Sequence, residues 1–110
     1  MIGKFVKAAI THHPSTEGRR ILAAQDYYTA PQIMQEFTEV TGQKAEVVRV
    51  PEDTFKSFIP APAAEEMLQN MQLLEDPGYY GGESLEPSLA LLDEKPTTWK
   101  EFVAKNRGKW

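Results

Sequence analysis

The 110-residue chain contains no cysteine, so it has no disulfide bond, thiolate nucleophile or thiolate metal site. It has no apolar run near the roughly 20 residues that span a bilayer, and its first residues lack the hydrophobic centre of a secretory signal. Its twelve Lys and Arg are spread along a chain of net charge −4 rather than concentrated in one basic segment. We therefore expect a cytoplasmic protein that binds neither membranes nor nucleic acid.

The composition is typical of one globular domain over residues 1–110, with 41% hydrophobic and 25% charged residues. The first ten residues have the spacing of an amphipathic helix, with one apolar stripe formed by Ile2, Phe5, Val6, Ala9 and Ile10. No strand or glycine-rich turn precedes this helix. We therefore expect the chain to be the second half of a larger unit, whose first half was discarded or is supplied by a partner.

Two later helices carry clear start signals. Thr29 and Thr98 are each followed three residues later by Gln32 or Glu101, which is the spacing of a capping box. The first of these helices should end at Gly42. A further helix is predicted after Pro60-Ala-Pro62, because Met67, Met71 and other apolar residues recur there at helical spacing.

Two short segments are predicted to be strands: the apolar run 20–24, which is bounded by turns, and the segment 44–50, which is rich in β-branched valine and is closed by Pro51. A helix lies between them, so they should pair in parallel. The predicted fold is helix-rich α/β, with a small two-stranded parallel sheet flanked by about five helices. Because such a sheet leaves an exposed edge, we expect a homodimer or a partner protein to cover it.

Several segments together resemble the C-terminal portion of NmrA-like proteins, which are atypical relatives of the short-chain dehydrogenases/reductases. They are Ile2-Gly-Lys-Phe-Val6, Gly18-Arg-Arg-Ile-Leu22, Thr29-Ala-Pro-Gln-Ile-Met34, Val47-Val-Arg-Val-Pro51, Gly78-Tyr-Tyr-Gly-Gly82 and Lys95-Pro-Thr-Thr-Trp99. The resemblance covers nearly the whole chain. It implies the smaller half of such a protein, which caps the cleft and shapes the substrate pocket.

The resemblance also implies that the NAD(P)-binding Rossmann half and its catalytic residues lie outside this chain. The seven glycines include no G-x-x-G-x-x-G turn, and Gly78-Tyr-Tyr-Gly81 follows a helix rather than a strand. We therefore expect no dinucleotide-binding domain and no cofactor. No metal site is expected either, because adjacent side chains such as His12 and His13 diverge on a helix.

Candidate catalytic residues are Asp26 and Tyr27, with His13 as a further possible base. Asp26 and Tyr27 follow the first predicted strand, and open α/β sheets bind ligands at the carboxyl ends of strands. A carboxylate there is able to accept a proton and a tyrosine to donate one. The alternative is a solvated loop with packing aromatics, and two histidines that cap the first helix.

The predicted ligand-binding residues are aromatic side chains and methionines, which often line adaptable apolar pockets. They are Tyr28, Phe55, Phe58, Met67, Met71, Tyr79 and Tyr80. Phe55, Phe58, Met67 and Met71 would serve equally well as core residues, and the tyrosine pair as an ordinary turn.

Three functions remain open. The first is a small-molecule-binding half-domain, which as an enzyme would be a cofactor-free isomerase, cyclase or lyase. The second is a regulatory module that dimerises or docks on a partner. The third is a fragment of an NAD(P)H-dependent reductase.

Overall fold

Helices make up all of the regular secondary structure in the computed structural model, which describes all 110 residues. None of them has both the length and the apolar character needed to cross a membrane. A short 3₁₀ helix, Arg107–Lys109, follows six α-helices: α1 Ile2–Thr11, α2 Ala30–Thr41, α3 Glu52–Ser57, α4 Ala61–Glu75, α5 Glu86–Leu89 and α6 Trp99–Lys105.

The predicted parallel sheet is wrong, because the structure contains no strand. Residues 20–24 do include the buried Leu22, but the Leu22 amide donates to the Ser88 hydroxyl at 2.9 Å instead of to a neighbouring strand. Residues 44–50 leave Val48 75% exposed. Two short runs cannot offset the cost of ordering both backbones unless further strands or covering helices bury their faces. The fold is therefore all-α.

The chain divides into two compact units. The first unit comprises residues 1–47 and 84–110 and contains α1, α2, α5 and α6. Its core side chains come from two helices, α1 and α6, and from two connecting segments: Phe5, Ala8, Leu22, Leu85 and Val103. Val103 is completely buried, so α6 has a fixed place in this unit.

The apolar stripe predicted for α1 is wrong in part. Phe5 and Ala8 are buried, whereas Ile2, Val6 and Ile10 are exposed. The face of α1 that enters the core is therefore the Phe5 and Ala8 side. The turn after α1 folds back onto the helix, and the buried Thr16 hydroxyl donates to the Ala9 carbonyl at 2.7 Å.

Both predicted capping boxes are confirmed. The Thr29 hydroxyl accepts from the Gln32 amide, and the Gln32 side chain accepts from the Thr29 amide. Thr98 and Glu101 make the same reciprocal pair at the start of α6. Gly42 ends α2 in the left-handed conformation, at a φ of 73° that favours glycine. These local signals fix the ends of the helices that carry the candidate site.

The second unit comprises residues 48–83 and contains α3 and α4, which pack against each other. Each helix begins after a proline, Pro51 or Pro60, and neither has a side-chain cap. Only Ala64 and Leu68 of this unit are buried apolar residues. This unit therefore has a much smaller core than the first.

Candidate functional site

One polar cleft of about 400 Å³ lies in the first unit, between α2, α6 and the segment before α2. Four of its residues recur along α2 at the spacing that puts side chains on one helix face. The residues that line it are Asp26, Tyr27, Tyr28, Gln32, Gln35, Glu36, Glu39 and Lys100. We call this space the polar cleft.

An ion pair joins the two helices in the polar cleft. The Lys100 ammonium lies 2.6 Å from a Glu39 carboxylate oxygen, and Gln35 donates to the other oxygen at 3.1 Å. The hydrogen bond from Lys100, supported by the one from Gln35, holds the pKa of Glu39 below its ordinary value. The same hydrogen bond raises the pKa of Lys100. The cleft's one cationic side chain is thus engaged by a carboxylate.

The segment before α2 presents a carboxylate and two phenols to the polar cleft. One Asp26 oxygen accepts from the Tyr27 amide at 2.7 Å, which fixes the direction of the carboxylate. The Tyr28 hydroxyl donates to the Gln25 side chain at 3.0 Å. Both hydrogen bonds join residues within this short segment, so they fix its side chains without help from other parts of the chain. The second Asp26 oxygen is left for a further donor.

Glu36 adds an incompletely paired acceptor to the same cleft. Its Oε2 atom is shielded from solvent and has no hydrogen-bond partner. Buried polar atoms are almost always hydrogen-bonded, because an unpaired one costs free energy. A donor that enters the polar cleft would therefore find an acceptor here.

A second cleft, of about 440 Å³, adjoins the first and is mostly apolar. We call it the apolar cleft; its lining includes Ala23, Ala24, Ile33, Trp99 and Phe102. The Trp99 ring stacks on Phe102 with ring centroids 5.8 Å apart, and its indole N–H donates to the Ile33 carbonyl at 3.0 Å. That bond fixes the ring and joins α6 to α2. The apolar cleft is therefore built by packed helices.

The two clefts share residues. Asp26 and Tyr28 line both of them, so the carboxylate and one phenol stand where the polar space meets the apolar one. Ligand sites in proteins commonly combine an apolar wall with a few polar groups that fix orientation. The arrangement suits a molecule that has an apolar body and a polar end.

His13 and the predicted residues of the second unit lie elsewhere. His13 is exposed, 3.8 Å from a Glu17 oxygen, and lines neither cleft. No group of three or more His, Asp or Glu side chains is arranged to hold a metal ion. The predicted site residues therefore fall into separate sets, and Asp26, Tyr27 and Tyr28 form the set of the first unit.

The second unit contains a shallow groove of about 350 Å³ along α4. We call it the α4 groove; it is formed by Met67, Asn70, Met71, Leu73, Leu74 and Tyr79. Tyr80 packs edge-on against the Tyr79 ring at 4.8 Å. Phe55 and Phe58 lie on or directly after α3 and do not line the groove. Three of the predicted ligand-binding residues thus share one surface.

Sequence reasoning missed most of the lining of both clefts. The residues Gln32, Gln35, Glu36 and Glu39 follow helical spacing, so the polar face of α2 was a visible signal. Lys100, Trp99 and Phe102 reach the clefts only because α6 packs against α2. No pattern within the sequence of α6 indicates which helix it contacts.

Comparison with known proteins gives one family. The sequence model of the NmrA-like family matches residues 1–103. No curated protein and no solved structure matches the chain. The match covers α1 to α5 and most of α6, including every residue that lines the two clefts of the first unit.

Proposed function

This chain belongs to the NmrA-like family, and we propose that it binds a small organic molecule in the joined polar and apolar clefts of its first unit. The observation that carries the proposal is that Asp26 and Tyr28 line both clefts. The apolar body of the ligand packs against Trp99 and Phe102. Its polar end meets the carboxylate and phenol at the junction.

The available acceptors favour a ligand that donates hydrogen bonds. Lys100 is engaged by Glu39, whereas one Asp26 oxygen and Glu36 Oε2 have no protein donor. A ligand N–H or O–H supplies the missing partner. A ligand that carries only acceptors leaves these oxygens unpaired, which costs affinity.

Proton transfer is the chemistry that these side chains offer to a bound carbonyl compound. The Asp26 carboxylate takes a proton from the carbon beside the carbonyl, and the Tyr27 hydroxyl hydrogen-bonds to the oxygen on which negative charge develops. In an α-hydroxyketone the resulting enediolate takes the proton back at the former carbonyl carbon while the hydroxyl proton passes to the other oxygen, which completes an isomerisation with no net change of oxidation state. His13 has no part in this step.

Binding is tested by NMR on the protein labelled with ¹⁵N, because its two tryptophans give two distinct indole signals. Small aromatic alcohols and hydroxyketones serve as probes. We expect them to shift the Trp99 signal, since Trp99 lines the apolar cleft, and to leave that of Trp110 unchanged. Trp110 packs edge-on against Phe37 and lines neither cleft.

A matched pair of variants locates the binding site. Tyr28→Phe removes the phenol at the junction and should weaken probe binding severalfold. Tyr79→Phe makes the same change in the second unit and should leave binding unchanged. Equal effects of the two changes would count against the proposed site.

Catalysis is tested separately by deuterium exchange. Hydroxyketones that bind are incubated with the protein in D₂O, and exchange of the C–H beside the carbonyl is followed by NMR. We expect Asp26→Asn to abolish any exchange that the unaltered protein catalyses, and Tyr27→Phe to slow it. Exchange that survives both changes would remove these two residues from the mechanism.

A further inference from the structure

The α4 groove is an apolar surface without a partner. Ala64 and Leu68 of α4 are buried, whereas Met67, Met71 and Leu74, on the neighbouring strip of the helix, are exposed. Tyr79 at the end of the groove is 71% exposed. Contiguous exposed apolar side chains of this kind commonly mark interaction sites.

The second unit is also strongly acidic. Residues 48–83 contain seven Asp and Glu but only two basic residues, Arg49 and Lys56, which gives a net charge of −5. The remainder of the chain has ten basic and nine acidic residues, a net charge of +1. The acidic character of the protein is thus concentrated on the unit that contains the groove.

Both basic residues of the unit are already engaged. Arg49 lies 3.2 Å from Glu75, and Lys56 lies 3.5 Å from Glu65 and 3.7 Å from Asp53. Glu66 and Asp76 are exposed and form no ion pair. Glu66 stands one turn before the groove residue Asn70, and Asp76 follows Leu74 by two residues. Unpaired carboxylates therefore border the apolar surface.

We propose that the α4 groove binds an amphipathic helix of a partner protein, with basic side chains flanking the apolar face of that helix. Met67, Met71 and Leu74 span about 10 Å along α4, or two helical turns, which matches helix anchors at positions i, i+3 or i+4, and i+7. Methionine side chains are flexible and polarisable and so adapt to such a partner. Lys and Arg on the partner helix pair with Glu66 and Asp76.

Charge opposes two other occupants. The second unit of another copy of the chain also has a net charge of −5, so two copies that met groove to groove would repel each other. An anionic lipid surface is repelled for the same reason. The proposal is independent of ligand binding in the first unit.

The test uses the full chain labelled with ¹³C at the methionine methyl groups, because four methionines give four signals. One probe is an amphipathic peptide of about 14 residues, or four turns, made of Leu and Lys. The second probe has Glu in place of every Lys and the same apolar face. We expect the Lys peptide to shift the Met67 and Met71 signals but not that of Met34, and to bind at least tenfold more tightly than the Glu peptide.

Variants separate the contributions of apolar and of charged side chains to peptide binding. Met71→Ala should weaken binding of the Lys peptide by about tenfold, since it removes an apolar side chain at the centre of the groove. Glu66→Gln combined with Asp76→Asn should weaken binding of the Lys peptide severalfold and make that binding less dependent on salt concentration. Glu94→Gln, an exposed and unpaired carboxylate of the first unit, is the matched control and should change nothing. All of these positions are exposed, and circular dichroism verifies that each variant folds.

Three results would overturn the proposal. One is equal binding of the two peptides, and another is a shift of Met34 in place of Met67 and Met71. The third is a shift of Met67 and Met71 by phosphatidylglycerol vesicles together with no response to the Lys peptide, which would assign the groove to a membrane surface.

Discussion

The first unit buries aromatic and aliphatic side chains from several segments, whereas the second buries only Ala64 and Leu68 and leaves larger apolar side chains in solvent. Phe5 is 3% exposed in the first unit, and Phe58 is 70% exposed in the second. The two units also differ in charge, at +1 and −5. The first unit therefore has a packed core beside its clefts, whereas the second leaves most of its large apolar side chains on the surface.

Truncation of the two phenylalanines should give the greatest difference in the free energy of unfolding. Phe5→Ala should lower the free energy of unfolding by about 3 to 5 kcal/mol, because it removes a buried ring and leaves a cavity. Phe58→Ala should change it by less than about 0.5 kcal/mol, since an exposed ring loses little on truncation. Urea denaturation followed by far-ultraviolet circular dichroism measures both, because the helices of both units contribute to that signal, whereas Trp99 and Trp110 both lie in the first unit. Similar losses in the two variants would mean that the second unit also depends on a packed aromatic core.

The next largest change in the free energy of unfolding should come from the loss of the hydrogen bond between Leu22 and Ser88, which the structure has in place of the predicted strand pairing. Ser88→Ala leaves the buried Leu22 amide without an acceptor and should cost about 1 to 3 kcal/mol. Ser57→Ala, in the exposed end of α3, is the control and should have little effect. Urea denaturation again gives the values. If Ser88→Ala is as harmless as the control, another acceptor must take the Leu22 amide.

Loss of a helix cap should lower the free energy of unfolding by a smaller amount. Side-chain caps also distinguish the units, because α2 and α6 of the first unit have capping boxes and α3 and α4 of the second have none. Thr29→Ala removes the capping box of α2 and should cost about 1 kcal/mol. Thr38→Ala, within the same helix, should be near neutral because alanine favours helix. Amide hydrogen exchange should show that the first turn of α2 opens more readily in Thr29→Ala. Unchanged exchange there would show that tertiary packing, and not the cap, holds this end of the helix.

The smallest effect is a pH dependence in the polar cleft. The pKa of Glu39 is held below its ordinary value of 4.5 by the hydrogen bond from Lys100, so the folded state binds the proton less readily than the unfolded state. The stabilisation from this pair is present above pH 4.5 and is lost as the pH falls through the lowered pKa. Melting temperatures between pH 6 and pH 3, in steps of about half a unit, should fall slightly less for Glu39→Gln than for the unaltered protein. An identical fall in both proteins would show that the pair adds no stability.

Helix boundaries were predictable from the sequence where a few neighbouring residues decide them. The capping boxes at Thr29 and Thr98 and the left-handed Gly42 need no information from distant parts of the chain. The strands were not predictable in this way, because an apolar run such as 20–24 becomes a strand only when another strand pairs with it. In this fold the Ser88 hydroxyl takes the place of that partner.

The residues of the candidate site likewise divide into those predictable from neighbouring residues and those placed by contacts between distant parts of the chain. Asp26, Tyr27 and Tyr28 are predictable as site residues because they follow an apolar run. The structure places all three along the polar cleft, although that run is not a strand. Lys100 and Trp99 complete the clefts through the packing of α6 on α2. That packing depends on the complementary shapes of two helices far apart in the sequence, which a single sequence does not specify.

The loop that carries Tyr79 limits how this surface is able to change during evolution. Gly78 has a φ of 94°, yet a Cβ added there would meet no atom within 4 Å. Space is therefore available for a larger side chain, but the backbone conformation disfavours one. Glycine should therefore persist at this position during evolution, and asparagine is the least costly replacement. The backbone conformation of Gly78, rather than side-chain packing, then sets the direction in which Tyr79 leaves the loop.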